Sequence, residues 1–65
     1  MLLEEGEFVR YKGSKVIRWI EKIDKRNQMV TLGKMDYKDK RYIKTYILLT
    51  WKEFYSKFED VKNNV

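Results

Sequence analysis

From Glu7 to Lys12 the chain alternates, with Val9 and Tyr11 on one side and Arg10 and Lys12 on the other, and this period of two predicts a strand. Phe8 falls with the charged residues, so it is either a rim residue or the mark of a register shift. Gly6 and Gly13 bracket the segment and suit turns. Lys15 to Asp24 alternates less cleanly. Val16, Arg18, Ile20 and Lys22 share one parity, and Ile17, Trp19, Glu21 and Ile23 share the other. Ile20 and Ile23 both face inward only if the strand bulges or bends between them. A helix through Val16, Trp19, Ile20 and Ile23 is the rival reading; the β-branched and aromatic content, with a turn and another strand following, favours a strand.

The polar run Asp24 to Gln28 reads as a hairpin turn. Met29 to Met35 is the returning strand, with Val30 and Leu32 inward, Thr31 outward and Gly33 at a bulge or a bend. Asp36 to Arg41 reads as a second polar loop. Tyr42 to Leu49 is the last long strand, placing Ile43, Thr45, Ile47 and Leu49 opposite Tyr42, Lys44, Tyr46 and Leu48.

A helix then begins. Thr50 and Glu53 have capping-box spacing, and Leu49 with Phe54 has that of a hydrophobic staple. Trp51, Phe54, Tyr55, Phe58 and Val61 recur at intervals of three and four, which predicts two to three turns whose apolar side plugs the sheet. The expected fold is mainly β: a small barrel or strongly bent sheet of four or five strands with one short C-terminal helix. One domain of 65 residues is expected, ordered from about residue 6 to 61, with a frayed tail at 62–65.

Composition narrows the chemistry. With no Cys there is no disulfide framework, and with no His the commonest metal ligand and the usual activator of Ser14 or Ser56 are missing. Glu21 with Asp24, and Asp36 with Asp39, lie among lysines and read as solvated charge. The three glycines form no phosphate-cradling loop. No enzyme, cofactor or metal is expected. The opening residues 1–5 lack the basic and apolar regions of a signal peptide, and no stretch approaches the ~18 apolar residues of a membrane span. A cytoplasmic protein is the default.

Fifteen Lys and Arg stand against ten Asp and Glu. Between Phe8 and Lys57 the balance is fourteen to five, so the body is strongly cationic while acids gather at the ends. Such a field draws polyanions, although solubility alone also accounts for it. The cations interleave with aromatics: Arg10 and Lys12 flank Tyr11, Arg18 precedes Trp19, and Tyr37, Lys38, Lys40, Arg41, Tyr42, Lys44 and Tyr46 follow in one stretch. Small barrels that bind nucleic acid set cations on phosphates and rings under bases. Tyr11 reads as core packing, Trp19 as core or site, and Tyr37 and Tyr42 as exposed.

Residues 6–13 (GEFVRYKG) resemble the opening strand of SH3-like barrels of the KOW and Tudor type. WIEKID, the DKRN turn and MVTL resemble their second strand, hairpin and third strand. The ending LLTWKEFYSKFEDV is similar to the tails of small SH3-like proteins of phages and prophages. The resemblance covers most of residues 6–61 and implies an SH3-like barrel with a binding role, and it carries over no catalytic residue. DNA or RNA is the favoured partner. The alternative is a phage-type module that occupies a host protein through Trp19, Tyr42, Tyr46 and Leu48. Homodimerisation through an open sheet edge is a further route, and a membrane partner is disfavoured because the helix needs its apolar side inside.

Overall fold

The alternating segments become one antiparallel sheet in the computed structural model, which describes residues 3–61. Strands β1 (Phe8–Tyr11), β2 (Ile17–Asp24), β3 (Met29–Lys38) and β4 (Arg41–Thr50) are followed by helix α1 (Trp51–Lys57) and strand β5 (Phe58–Asp60). Their order across the sheet is β4-β3-β2-β1-β5, so the last strand lies beside the first. The protein is therefore mainly β, five strands and a single short helix among the described residues. The tail expected at 62–65 lies outside them.

β2 carries the bulge that its irregular alternation required. Ile20 pairs with Leu32 and Lys22 with Thr31, leaving Glu21 as the extra residue. The insertion lets Ile20, Ile23 and their partners Leu32 and Val30 all serve the inner side. It also moves Lys22 to the outer side, opposite to its place in a regular alternation. Gly33 is not a bulge: it pairs in register with Trp19 on one side and Tyr46 on the other.

The second polar loop is much shorter than its composition suggests. Pairing continues to Lys38↔Arg41, and only Asp39 and Lys40 form the turn, with φ of 54° and 63°. Both are left-handed, as a type I′ hairpin turn requires to match the twist of its strands. Polar residues are strand residues here because both faces of this part of the hairpin meet solvent. β2 pairs with β3 only as far as Gly33, so the far half of the β3–β4 hairpin continues as a two-stranded ribbon. Such ribbons are marginal alone. This one is braced by a hydrogen bond from Thr45 Oγ1 to Asp36 Oδ2 (2.8 Å), an ion pair of Lys34 with Asp36 (3.2 Å), and the Tyr37 and Tyr42 rings at 5.0 Å.

The capping box forms as its spacing predicts: the Glu53 N–H donates to Thr50 Oγ1 (3.1 Å), and the Thr50 N–H donates to the Glu53 carboxylate (3.3 Å). The helix is shorter than expected, seven residues, and Phe58 lies beyond it in extended conformation (φ −114°, ψ 156°). Phe58 and Val61 are thus not helical. Phe58–Asp60 instead pairs with the open edge of β1, where Tyr11↔Phe58, Arg10↔Glu59 and Val9↔Asp60 supply a ladder that a third helical turn would forgo. Tyr55 stays exposed.

The core is Val9, Ile20, Val30, Leu32, Phe54 and Phe58, with Leu3, Ile23, Ile47, Leu49 and Trp51 packed around it. Phe54 and Phe58 stack at 5.8 Å, closing the concave side, and the Trp51 indole N–H donates to the Met29 carbonyl (3.0 Å). Tyr11, expected in the core, is a rim residue. Its ring meets Phe58 edge-on at 5.0 Å and is otherwise half exposed. Among the described residues β4 has no second strand beside it. Its turn closes on the hydrogen-bonded pair Lys38/Arg41, so Tyr42, Lys44, Tyr46 and Leu48 turn their backbone N–H and C=O groups away from β3.

Candidate functional site

Register places a continuous row of side chains across the outer face: Phe8 on β1 opposite Trp19 on β2, Trp19 opposite Gly33 on β3, and Gly33 opposite Tyr46 on β4. Residues two apart on the same strands join it. Ile17 stands beside Trp19, Met35 and Tyr37 follow Gly33, and Tyr42, Lys44 and Leu48 flank Tyr46. Seven of the ten large hydrophobic side chains exposed among the described residues lie here: Phe8, Ile17, Met35, Tyr37, Tyr42, Tyr46 and Leu48. At about half to two-thirds exposure each, they concentrate aromatic and aliphatic surface on one side of the sheet, which makes that side the candidate binding face.

Trp19 is its fixed centre. The residue opposite it has no side chain, and the indole lies over that gap: a Cβ built on Gly33 would sit 2.6 Å from Trp19 Cε2 and Cζ2. The indole N–H donates to Glu21 Oε2 at 2.7 Å, so the residue inserted at the bulge pins the ring. A ring held on one side by backbone and at its edge by a hydrogen bond loses little freedom when a ligand covers it. Tyr37 and Tyr42, 65% and 70% exposed, form a second aromatic group on the ribbon.

Cations surround this face. Lys44 stands between Tyr42 and Tyr46 and Lys22 flanks Leu48 through Thr31, while at the ribbon tip Lys40 shares the turn with Asp39, and Lys38 and Arg41, paired with each other, have the parity of the inner side; all five cations are exposed. Of the acids near it, Glu21 is engaged by Trp19, and Glu59 by Arg10 through contacts of 2.9 and 3.1 Å. The Asp36 carboxylate is held below the usual Asp range, first by the Thr45 hydroxyl and then by Lys34.

The eleven sequence candidates therefore divide. Trp19, Tyr37, Tyr42, Lys44 and Tyr46 share the outer face, Lys40 lies in the turn at its ribbon end, and Lys38 and Arg41 reach that end from strand positions of inner parity. Arg10 is on the same face but already paired with Glu59. Lys12 lies at the opposite end of β1, where its ammonium donates to the Ser56 carbonyl at 3.0 Å. Arg18 pairs with the buried Val9 and belongs to the inner side, with its charge near Asp36. Sequence reasoning left Phe8, Ile17, Met35 and Lys22 out of the site. Phe8 was visible as the aromatic on a charged parity, whereas Lys22 needed the position of the bulge.

Among the described residues there is no group of three His, Cys, Asp or Glu that could hold a metal, and no helix long and apolar enough to cross a membrane. Compared with protein-family models, with curated proteins and with solved structures, the chain matches none.

Proposed function

We propose that this protein is a non-enzymatic, cytoplasmic binding module of the SH3-like kind that holds nucleic acid against the outer face of its sheet. The observation that carries the reading is the gathering of Trp19, Tyr37, Tyr42 and Tyr46 on one face with Lys44 among them and Lys38, Lys40 and Arg41 at its end. Rings offer stacking to bases, and ammonium and guanidinium groups offer contacts to phosphates. The strand order, with β5 beside β1 and a helix between β4 and β5, supports the SH3-like resemblance.

The test is affinity for mixed DNA and RNA oligonucleotides between 50 and 200 mM salt, for the parent and for a Lys38→Gln/Lys40→Gln/Arg41→Gln triple variant. Each phosphate contact contributes about 0.7–0.9 to the salt slope, so the triple variant should bind more weakly with a slope shallower by up to about 2–3. An Arg10→Gln/Lys12→Gln variant should lose less, since both side chains already have partners within the protein. Salt-insensitive binding, or none to any DNA or RNA, overturns the proposal. It would favour the second reading, a host protein as partner, which Ile17, Met35 and Leu48 on the same face support because such aliphatic residues suit a protein surface better than bases.

A further inference from the structure

Resting on the nucleic-acid reading, we infer that the ligand is single-stranded and runs along the outer face from the Tyr37/Tyr42 group at the ribbon, over Tyr46, to Trp19 and Phe8. Three observations carry this. The first is geometric. The row of rings spans four strands, β4 to β1, which at about 4.8 Å per strand is roughly 14 Å between its outer strands before side chains are added, broader than a major groove about 12 Å across. The four-stranded part that carries Phe8, Trp19 and Tyr46 therefore cannot enter a duplex as the two-stranded ribbon could, and in a duplex the faces of the bases are covered by their neighbours. Only an unpaired strand can bring bases onto these rings.

The second is Trp19 itself. Its indole is laid over Gly33 and tied to Glu21 before any ligand arrives, and it is flanked in register by Phe8 and Tyr46. A row of rings with its central indole already fixed is a surface for successive bases. It reads no base edge, so it predicts tolerance of sequence. The third is charge. Lys44 and Lys22 edge the row, the ribbon tip adds Lys40 in the turn and Lys38 and Arg41 at its base against the single acid Asp39, and the neighbouring acids Glu21 and Glu59 are occupied. That leaves the face complementary to a phosphate backbone. From Tyr42 four residues along β4 to Tyr46, then across β3 and β2 to Phe8, the path is roughly 27 Å, which seats on the order of four or five nucleotides.

The probes are (dT)12, (U)12 and a 12-base-pair DNA duplex, at 100 mM salt. A Trp51→Phe variant leaves Trp19 as the reporter of its own contact, provided its melting curve remains cooperative. In parallel, anisotropy of labelled oligonucleotides is read on the parent protein and on Tyr46→Ala, which removes an exposed ring and should leave the melting curve unchanged. The inference expects both single strands to quench Trp19 and to bind at least tenfold tighter than the duplex. Tyr46→Ala should weaken them by about five- to a hundredfold, and affinity should rise with oligo-dT length and level off near five nucleotides. A duplex that binds as tightly or more tightly overturns the single-strand inference while leaving the nucleic-acid reading in place. Absence of binding by all three probes overturns both. In that event, dimer formation abolished by Leu48→Glu would identify a second copy of this chain as the occupant of the face, and a monomer would point to a different protein.

Discussion

Gly33→Ala isolates the contact that sets Trp19 in place. The new methyl would stand 2.6 Å from two indole carbons and 2.8 Å from Nε1. Carbon atoms rest about 3.5–4.0 Å apart, so the ring must rise by about 1 Å and strain its 2.7 Å hydrogen bond to Glu21. Overpacking of this kind costs about 1–3 kcal/mol. Against it, Ala is intrinsically better than Gly within a strand by about 0.5–1 kcal/mol, and Gly33 has no positive φ that would penalise a side chain. The steric cost exceeds the gain, and Gly33→Ala should lower stability by about 1–2 kcal/mol, or several degrees in Tm for a domain of this size. In a Trp19→Ala background nothing remains to collide with, and the same substitution should stabilise by about 0.5–1 kcal/mol. Urea melts of the four proteins, followed by circular dichroism, give the coupling directly. Equal effects of Gly33→Ala in both backgrounds would show that the indole does not rest on residue 33, and the argument for a preformed platform would fail with it.

Three further outcomes follow from the capping box, the hairpin turn and the Asp36 contacts. Thr50→Ala removes one half of the capping box and should cost about 1 kcal/mol in a urea melt, whereas Thr50→Ser should cost much less. Lys40→Gly relieves a left-handed lysine and should stabilise by about 1 kcal/mol while weakening polyanion binding, so stability and affinity move in opposite directions; a change of the same sign in both would contradict the assignment of Lys40. Asp36 has a depressed pKa, so its contribution is present above the unfolded value near 3.9 and disappears as pH falls through the lower folded value. Asp36→Asn should therefore reduce the loss of Tm between pH 7 and pH 2.5, and an unchanged acid limb would show that the Thr45 and Lys34 contacts carry no linkage.

The residues that made the fold legible are those with a single structural answer. Val9, Val30 and Leu32 alternate with polar neighbours, Thr50 and Glu53 have one useful geometry, and the broken alternation around Ile20 and Ile23 demanded the extra residue found at Glu21. The outward placement of Tyr42, Lys44 and Tyr46 followed from parity alone. What was less legible depended on partners distant in sequence. Phe58 suits a helix by spacing, and only the free edge of β1, nearly fifty residues away, makes it a strand residue. Asp36 to Lys38 look like a loop because their burial is low, yet a two-residue turn and the Thr45 contact keep them paired. Trp19 was left between core and site because its position depends on the empty side-chain space across the strand at Gly33, and no local pattern reveals what lies across.

The unpaired side of β4 has a practical corollary. The strand is ten residues long, without proline or bulge, and the groups it turns outward belong to Tyr42, Lys44, Tyr46 and Leu48, with only Lys44 as a charged guard. In dilute buffer, the protein's surplus of five positive charges keeps copies apart. Above about 0.5 M salt the screening length falls to a few ångströms and that protection is gone. Concentrated salt, which strips polyanions from the protein, should by the same screening encourage strand-to-strand association, so turbidity should increase under the conditions normally chosen to wash it clean.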